Sequence, residues 1–312
     1  MKLAKQVQGI EKESLFKRKK RRGNKIPYLF ISPFFILFAI FMLCPTLYSF
    51  YLSFHEWNGV GPTTYVGLSN YAKLFSGGGL FLKSMTNCTI IFFEYVPIMT
   101  LGALILASLL NSRYIRLEGV FRTFIFLPYV TAIIAITYSF QYLLDTNYGM
   151  INLFLSWFGI ERIAWLNSPT LARICLSSLI TWRWLGYNMV LFLAGLQFIP
   201  PELYEAAKID GATPLQSFLH ITIPLVKPII FFCIFLSTIG TFSLFDEPFI
   251  LTSIGTSTGG GPVNATLSPI LLLYNMGFRY LRFGTASAVA YLLFVVLFLC
   301  GLFEIKFLGG KR

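Results

Sequence analysis

Histidine is almost missing from this chain, with His55 and His220 its two examples in 312 residues. A catalytic constellation built on imidazole, or a histidine-based metal site, has little to draw on. Cysteine is scattered singly, at Cys44, Cys88, Cys175, Cys233 and Cys300, with no C-x-x-C pair. Helix packing is the default for each, and neither disulfide nor metal chemistry is expected. No G-x-x-x-x-G-K-[ST] phosphate loop occurs, so nucleotide hydrolysis has no seat in this sequence. Charge is scarce too: 12 % of residues are Asp, Glu, Lys or Arg, too few to cover an ordinary water-facing surface. These absences speak against a soluble enzyme.

What is abundant is apolar sequence, at 56 % of residues. Six runs approach or exceed the roughly 20 residues that cross a bilayer core as a helix. They lie at about 27–54, 85–110, 121–144, 171–199, 225–252 and 283–308. Their apolar character is continuous rather than alternating, which excludes barrel strands and predicts an all-α, polytopic membrane protein of six transmembrane helices. The first run is too long for a cleaved signal peptide and has no small-residue cleavage site.

Lys and Arg placement sets the expected orientation. Ten of the 25 fall before residue 27; with that tail inside, Arg113, Arg116, Arg122, Lys208, Lys227, Lys306, Lys311 and Arg312 join them. Lys73, Lys83, Arg162, Arg173, Arg279 and Arg282 fall outside, and Arg183 within a span. Eighteen against six places both termini on the cytoplasmic side of the membrane. The net charge of +12 is concentrated in the run 17–22 beside the first span, where anionic lipid headgroups account for it; nucleic acid is not an expected partner. Trp157 and Trp165 sit in the outward loop 145–170, as interface aromatics do. No internal repeat is evident, which weighs against an inverted-repeat secondary transporter.

One polar loop interrupts the greasy pattern. Pro200-Pro201 closes the fourth span, and Pro201 can open a short helix because its missing N–H costs nothing at the first position. Glu202 and Glu205 then fall where carboxylates favour the helix dipole. Gly211 can take positive φ and stop the helix; Pro214 starts a second short one, expected to halt at Pro224. Glu205-Ala206-Ala207, Gly211 and Ile221-x-Ile223-Pro224, at their spacing, resemble the coupling loop of binding-protein-dependent ABC importer permeases. The resemblance implies that Glu205, Ala206, Ala207, Asp210 and Gly211 dock into an ATPase subunit. His220 is given no task.

The likeness runs from about Lys25 to Lys306 and is to maltose-type (carbohydrate) permeases. It is carried by Phe121-Arg122-Thr123 with Phe126-Leu127-Pro128-Tyr129, by Trp184-Leu185-Gly186-Tyr187-Asn188, by Leu251-Thr252 with Gly260-Gly261-Pro262, and by Gly284-Thr285-Ala286. About five residues near 253–257 are extra relative to that family's pattern. The resemblance implies a type I importer fold with a basic tail (1–26), a first helix and outward loop (27–84), a five-helix core (85–308, coupling loop 200–224) and a short C-terminus (309–312). It implies sugar contacts at Tyr129, Leu185, Gly186, Tyr187, Gly240 and Thr241, with Asn188 beside them. It also implies partners: a second permease, two ATPase subunits that hold ATP and magnesium, an extracellular or periplasmic binding protein, and a carbohydrate, most simply an oligosaccharide.

Ionisable groups inside spans are costly and so point to function. Glu94, Arg183, Asp246 and Glu247 are such groups, with Arg183 near mid-membrane and the acids in the outer half. Arg183 can pair with any of the three, as a gate, as a sugar contact, or as a structural ion pair. A glycerol phosphate or polyol cargo would give Arg183 more to do; a proton relay through Glu94, Arg183 and Asp246 would suit an ion-coupled transporter.

Overall fold

The computed structural model describes residues 26–76, 79–112, 117–253 and 259–307. The basic run 17–22, Gly77-Gly78, Arg113, Arg116, most of the extra stretch after residue 252, and Lys311-Arg312 lie outside the described residues.

Helix dominates throughout. The first helix, α1 (Ile26–Ser53), contains a π turn at Ala39–Leu43; its part up to Ser49 forms a compact unit separate from residues 50–312. In the second unit a two-stranded antiparallel ribbon, β1 (His55–Glu56) and β2 (Thr64–Tyr65), pairs His55 with Tyr65. Then come α2 (Ser69–Ser76), α3 (Leu80–Leu110), α4 (Glu118–Val130), α5 (Ile133–Leu143), α6 (Met150–Ser156) and α7 (Pro169–Leu196). They are followed by α8 (Pro201–Ile209), α9 (Pro214–Phe242), α10 (Asp246–Leu251), α11 (Pro269–Tyr274) and α12 (Phe283–Phe307).

The core lies along α3 and α7, which pack against each other more extensively than any other pair. On α3 the buried Ile91, Tyr95, Met99, Ala103 and Ala107 recur every four residues, while Phe93, Leu101, Ile105 and Leu109 are exposed. Both faces are apolar because one meets protein and the other lipid, so the usual amphipathic signal is absent. Small Ala103 and Ala107 let α7 approach around Met189 and Phe192.

Among the described residues five helices are long and apolar enough to span, and the pair α4–α5 makes a sixth if counted as one bent span. The single span expected at 121–144, which Pro128 could bend, is this pair, with α4 and α5 meeting at 91°. Pro128 offers no N–H to the preceding turn, and Thr131, at φ −69° and ψ 145°, leaves the helix altogether. Thr131 Oγ1 donates to the Leu127 carbonyl at 2.9 Å, capping the broken end.

The fifth span does correct an expectation. Pro224 was expected to end a short helix, yet α9 runs through it without interruption. A π turn at Phe218–Thr222 precedes it, in which the Ile223 N–H reaches the Phe218 carbonyl. The extra residue in that turn widens the helix where the proline ring would collide, and the helix continues. At its other end α9 stops at Phe242, short of the expected 252, and residues 243–245 turn the chain into α10.

Of the two loop tryptophans, Trp157 is exposed. Trp165 is packed inward, its Nε1 donating to Asn152 Oδ1 at 3.0 Å.

Candidate functional site

The break in α4 and the turn after α9 face one another, and a cavity of about 450 Å³ lies between them. It is bordered by Tyr129 of α4, Trp184, Tyr187 and Asn188 of α7, Gly240 of α9, and Asp246 and Glu247 of α10. Three of these rings form a box. Tyr129 and Tyr187 stack with centroids 4.7 Å apart, and Trp184 meets them edge-on at 5.2 and 5.7 Å. Such π faces, next to the hydroxyls of Ser237 and Ser243, suit a ligand with apolar C–H surfaces and polar edges.

Sequence reasoning grouped seven residues here, and they do different things. Tyr129, Tyr187, Asn188 and Gly240 border the cavity. Asn188 is 3 % exposed and spends one amide hydrogen on the Trp184 carbonyl at 3.0 Å. Leu185 is drawn into the hydrophobic clusters between α3 and α7. Gly186 is buried, and a Cβ there would sit 2.0 Å from the Ile125 carbonyl oxygen. It lets α4 and α7 touch backbone to backbone, and so it sets the Tyr129–Tyr187 stack without lining the cavity. Thr241 is fully buried; its Oγ1 donates to the Ser237 carbonyl at 2.6 Å and lies 2.7 Å from the Tyr95 hydroxyl. Tyr95, which sequence reasoning missed, does reach the cavity. Its place beside Glu94 is the one signal in the sequence that could have marked it.

The charges also separate. Arg183 pairs with Glu247, Nη1 to Oε1 at 3.7 Å, and its guanidinium carbon lies 5.5 Å from the Trp184 ring and 5.9 Å from that of Tyr129. Glu94 is elsewhere: it accepts a 2.6 Å hydrogen bond from Ser177 Oγ and borders a separate groove with Ser178 and Thr181. One acid was overlooked. Glu304 of α12 is buried and accepts from Thr238 Oγ1 at 2.6 Å, while its Oε2 has no partner among the described residues. A scan for ionisable groups extended to the last turn of the sixth span would have found it.

At the far end of the bundle, α8 and the start of α9 form the knuckle. Gly211, at φ +79°, ends α8. The Ala212 N–H bonds the Ala207 carbonyl at 2.9 Å and the Gly211 N–H bonds that of Lys208 at 3.2 Å, satisfying carbonyls the helix end would orphan. Thr213 and Gln216 then close a reciprocal capping box over the start of α9. The Tyr204 hydroxyl lies 2.9 Å from Thr222 Oγ1, tying α8 to α9. Glu205, Ala206, Asp210 and Gly211 are exposed, and Ala207 is half-buried. Behind the knuckle, between α8, the foot of α9 and the end of α3, lies an apolar groove of about 900 Å³ with Leu109, Leu196 and Phe218 on its walls.

Among the described residues no three His, Cys, Asp or Glu side chains converge to hold a metal ion.

The family described as binding-protein-dependent transport system inner membrane component matches residues 89–306. The lactose transport system permease protein LacF of Rhizobium radiobacter is 40 % identical over 288 residues, covering 91 % of this chain and 94 % of its own. The sn-glycerol-3-phosphate transport system permease protein UgpA of Agrobacterium fabrum is 31 % identical over 290 residues, covering 92 % and 96 %. In fold, the chain is similar to one from the crystal structure of a bacterial ABC transporter involved in the import of the acidic polysaccharide alginate. The TM-score is 0.78 at 24 % identity, over 95 % of this chain and 98 % of that one.

Proposed function

The chain belongs to the family of binding-protein-dependent transport system inner membrane components, and from that premise we propose that it forms one half of the pathway of an ATP-driven oligosaccharide importer. It is a multi-pass membrane protein. Its companions are a second, similar permease, two ATPase subunits and a solute-binding protein outside the membrane. ATP and magnesium are held by the ATPase subunits. Both termini lie in the cytoplasm, and the knuckle with them.

The observation that carries the cargo is the aromatic box of Tyr129, Trp184 and Tyr187, open toward hydroxyls. Sugars present C–H faces to aromatic rings and hydroxyls to polar neighbours, and the 40 % identity to a lactose permease agrees with that chemistry. A glycerol phosphate would instead need a cation free to meet it, and Arg183 is already committed to Glu247.

The mechanism is alternating access. ATP closes the ATPase pair, which moves the knuckle; because α9 is unbroken from Pro214 to Phe242, the displacement is delivered to the cavity floor at Gly240 and the turn after it. The pathway is thus a two-state element biased by ATPase on one face and by loaded binding protein on the other.

Glu205→Lys and Gly211→Pro, each in the complete complex, test the coupling. Both are expected to reduce uptake of labelled oligosaccharide to background while the subunits still co-purify. Wild-type uptake in both variants would overturn the reading.

A further inference from the structure

Two carboxylates, Asp246 and Glu247, border the aromatic cavity, and among the described residues no lysine or arginine borders it. They are not equivalent. Glu247 is buried and is answered from behind by Arg183, whose guanidinium lies against the Trp184 and Tyr129 rings. Asp246, one residue earlier and half-buried, stands in no ion pair among the described residues. Arg183 therefore compensates one negative charge of two, and one remains at the wall of a cavity with low-dielectric sides.

From this balance we propose that the cavity selects its cargo by charge, admitting neutral and amine-bearing oligosaccharides and rejecting uronates and sugar phosphates. The inference rests on the carbohydrate reading and sharpens it. Two effects act together. An unpaired carboxylate beside apolar walls repels a like charge strongly, because little water screens it. The faces of Tyr129, Trp184 and Tyr187 carry negative quadrupole and favour cations and polarised C–H bonds over anions. The guanidinium of Arg183 already occupies part of that aromatic surface, which is the preference seen within the protein itself.

The potential can be read without knowing the sugar. Ser243 borders the cavity and is exposed, so a thiol placed there reports on it. In the assembled importer, with the five native cysteines of this chain replaced by alanine, Ser243→Cys is treated with ethylammonium and ethylsulfonate thiosulfonates. The cationic-to-anionic rate ratio, divided by the same ratio for free cysteine, is expected to be about 10 or more. Asp246→Asn should bring it close to about 1. A ratio at or below that of free cysteine, or one that Asp246→Asn leaves unchanged, overturns the proposal.

A second arm asks whether sugars feel the same field. Half-protection of the thiol should require roughly tenfold less neutral digalactoside than digalacturonate, and Asp246→Asn should erase the difference. Equal or inverted protection in the parent also overturns the proposal. Protection by neither sugar would remove the carbohydrate reading and leave the charge measurement standing, so the two failures are told apart.

Discussion

Several spans of this protein contain proline, and two of them, α4 and α9, answer it in opposite ways. In α4 the proline is followed three residues later by Thr131 in extended conformation, and the span breaks into α4 and α5 at 91°. In α9 the proline at 224 follows a π turn, and the helix passes through without a break. Both rings remove one backbone donor; what differs is whether the neighbouring turn is wide enough to take the ring. The break makes room for the cavity at Tyr129. The continuity connects the knuckle to that cavity. One residue type thus supplies a corner in one helix and is tolerated in a strut in another.

The largest effect is expected from making the strut behave like the corner. Two glycines inserted after Thr222 rotate the knuckle by about 200° relative to α9 and loosen the helix at the π turn. Uptake should fall to background while basal ATPase activity persists; coupled uptake at wild-type rate would show that α9 does not transmit. A smaller effect is expected on the corner. Gly186→Leu forces α4 away from α7, and overpacking of this kind costs roughly 1–3 kcal/mol. The assembled complex should unfold at lower temperature, and the Tyr129–Tyr187 stack should open. An unchanged thermal midpoint would mean that the backbone contact at Ile125 is not what seats α4. The smallest is Tyr187→Ala, which removes one face of the box and should weaken cargo-stimulated ATPase activity several-fold, by about 1 kcal/mol. A wild-type response would remove Tyr187 from the lining.

The six runs of apolar residues and the knuckle were legible because each rests on a local rule: length against bilayer thickness, and Pro, Gly and acid placement around a short helix. The capping box at Thr213 and Gln216 was equally readable but went unnoticed. The third and fifth spans were not, since a proline announces a possible break and not its outcome. Thr131 reads like any other threonine, and the π turn at Phe218–Thr222 has no composition of its own. Within the cavity, aromatic residues at helical spacing could be nominated, but not sorted. Leu185, Gly186 and Tyr187 are consecutive, and a 100° turn per residue sends one to the core, one to a backbone contact and one to the cavity. Which is which depends on where α4 crosses α7, a relation between segments some 60 positions apart.

The hydrogen bonds at Ala212 and Gly211, with the Thr213–Gln216 box, finish both short helix ends of the knuckle internally. On the proposed coupling, a segment already folded gives up little conformational freedom when a motor subunit closes around it. Assembly can then be quick, and grip can survive repeated strokes, since no refolding step separates one cycle from the next.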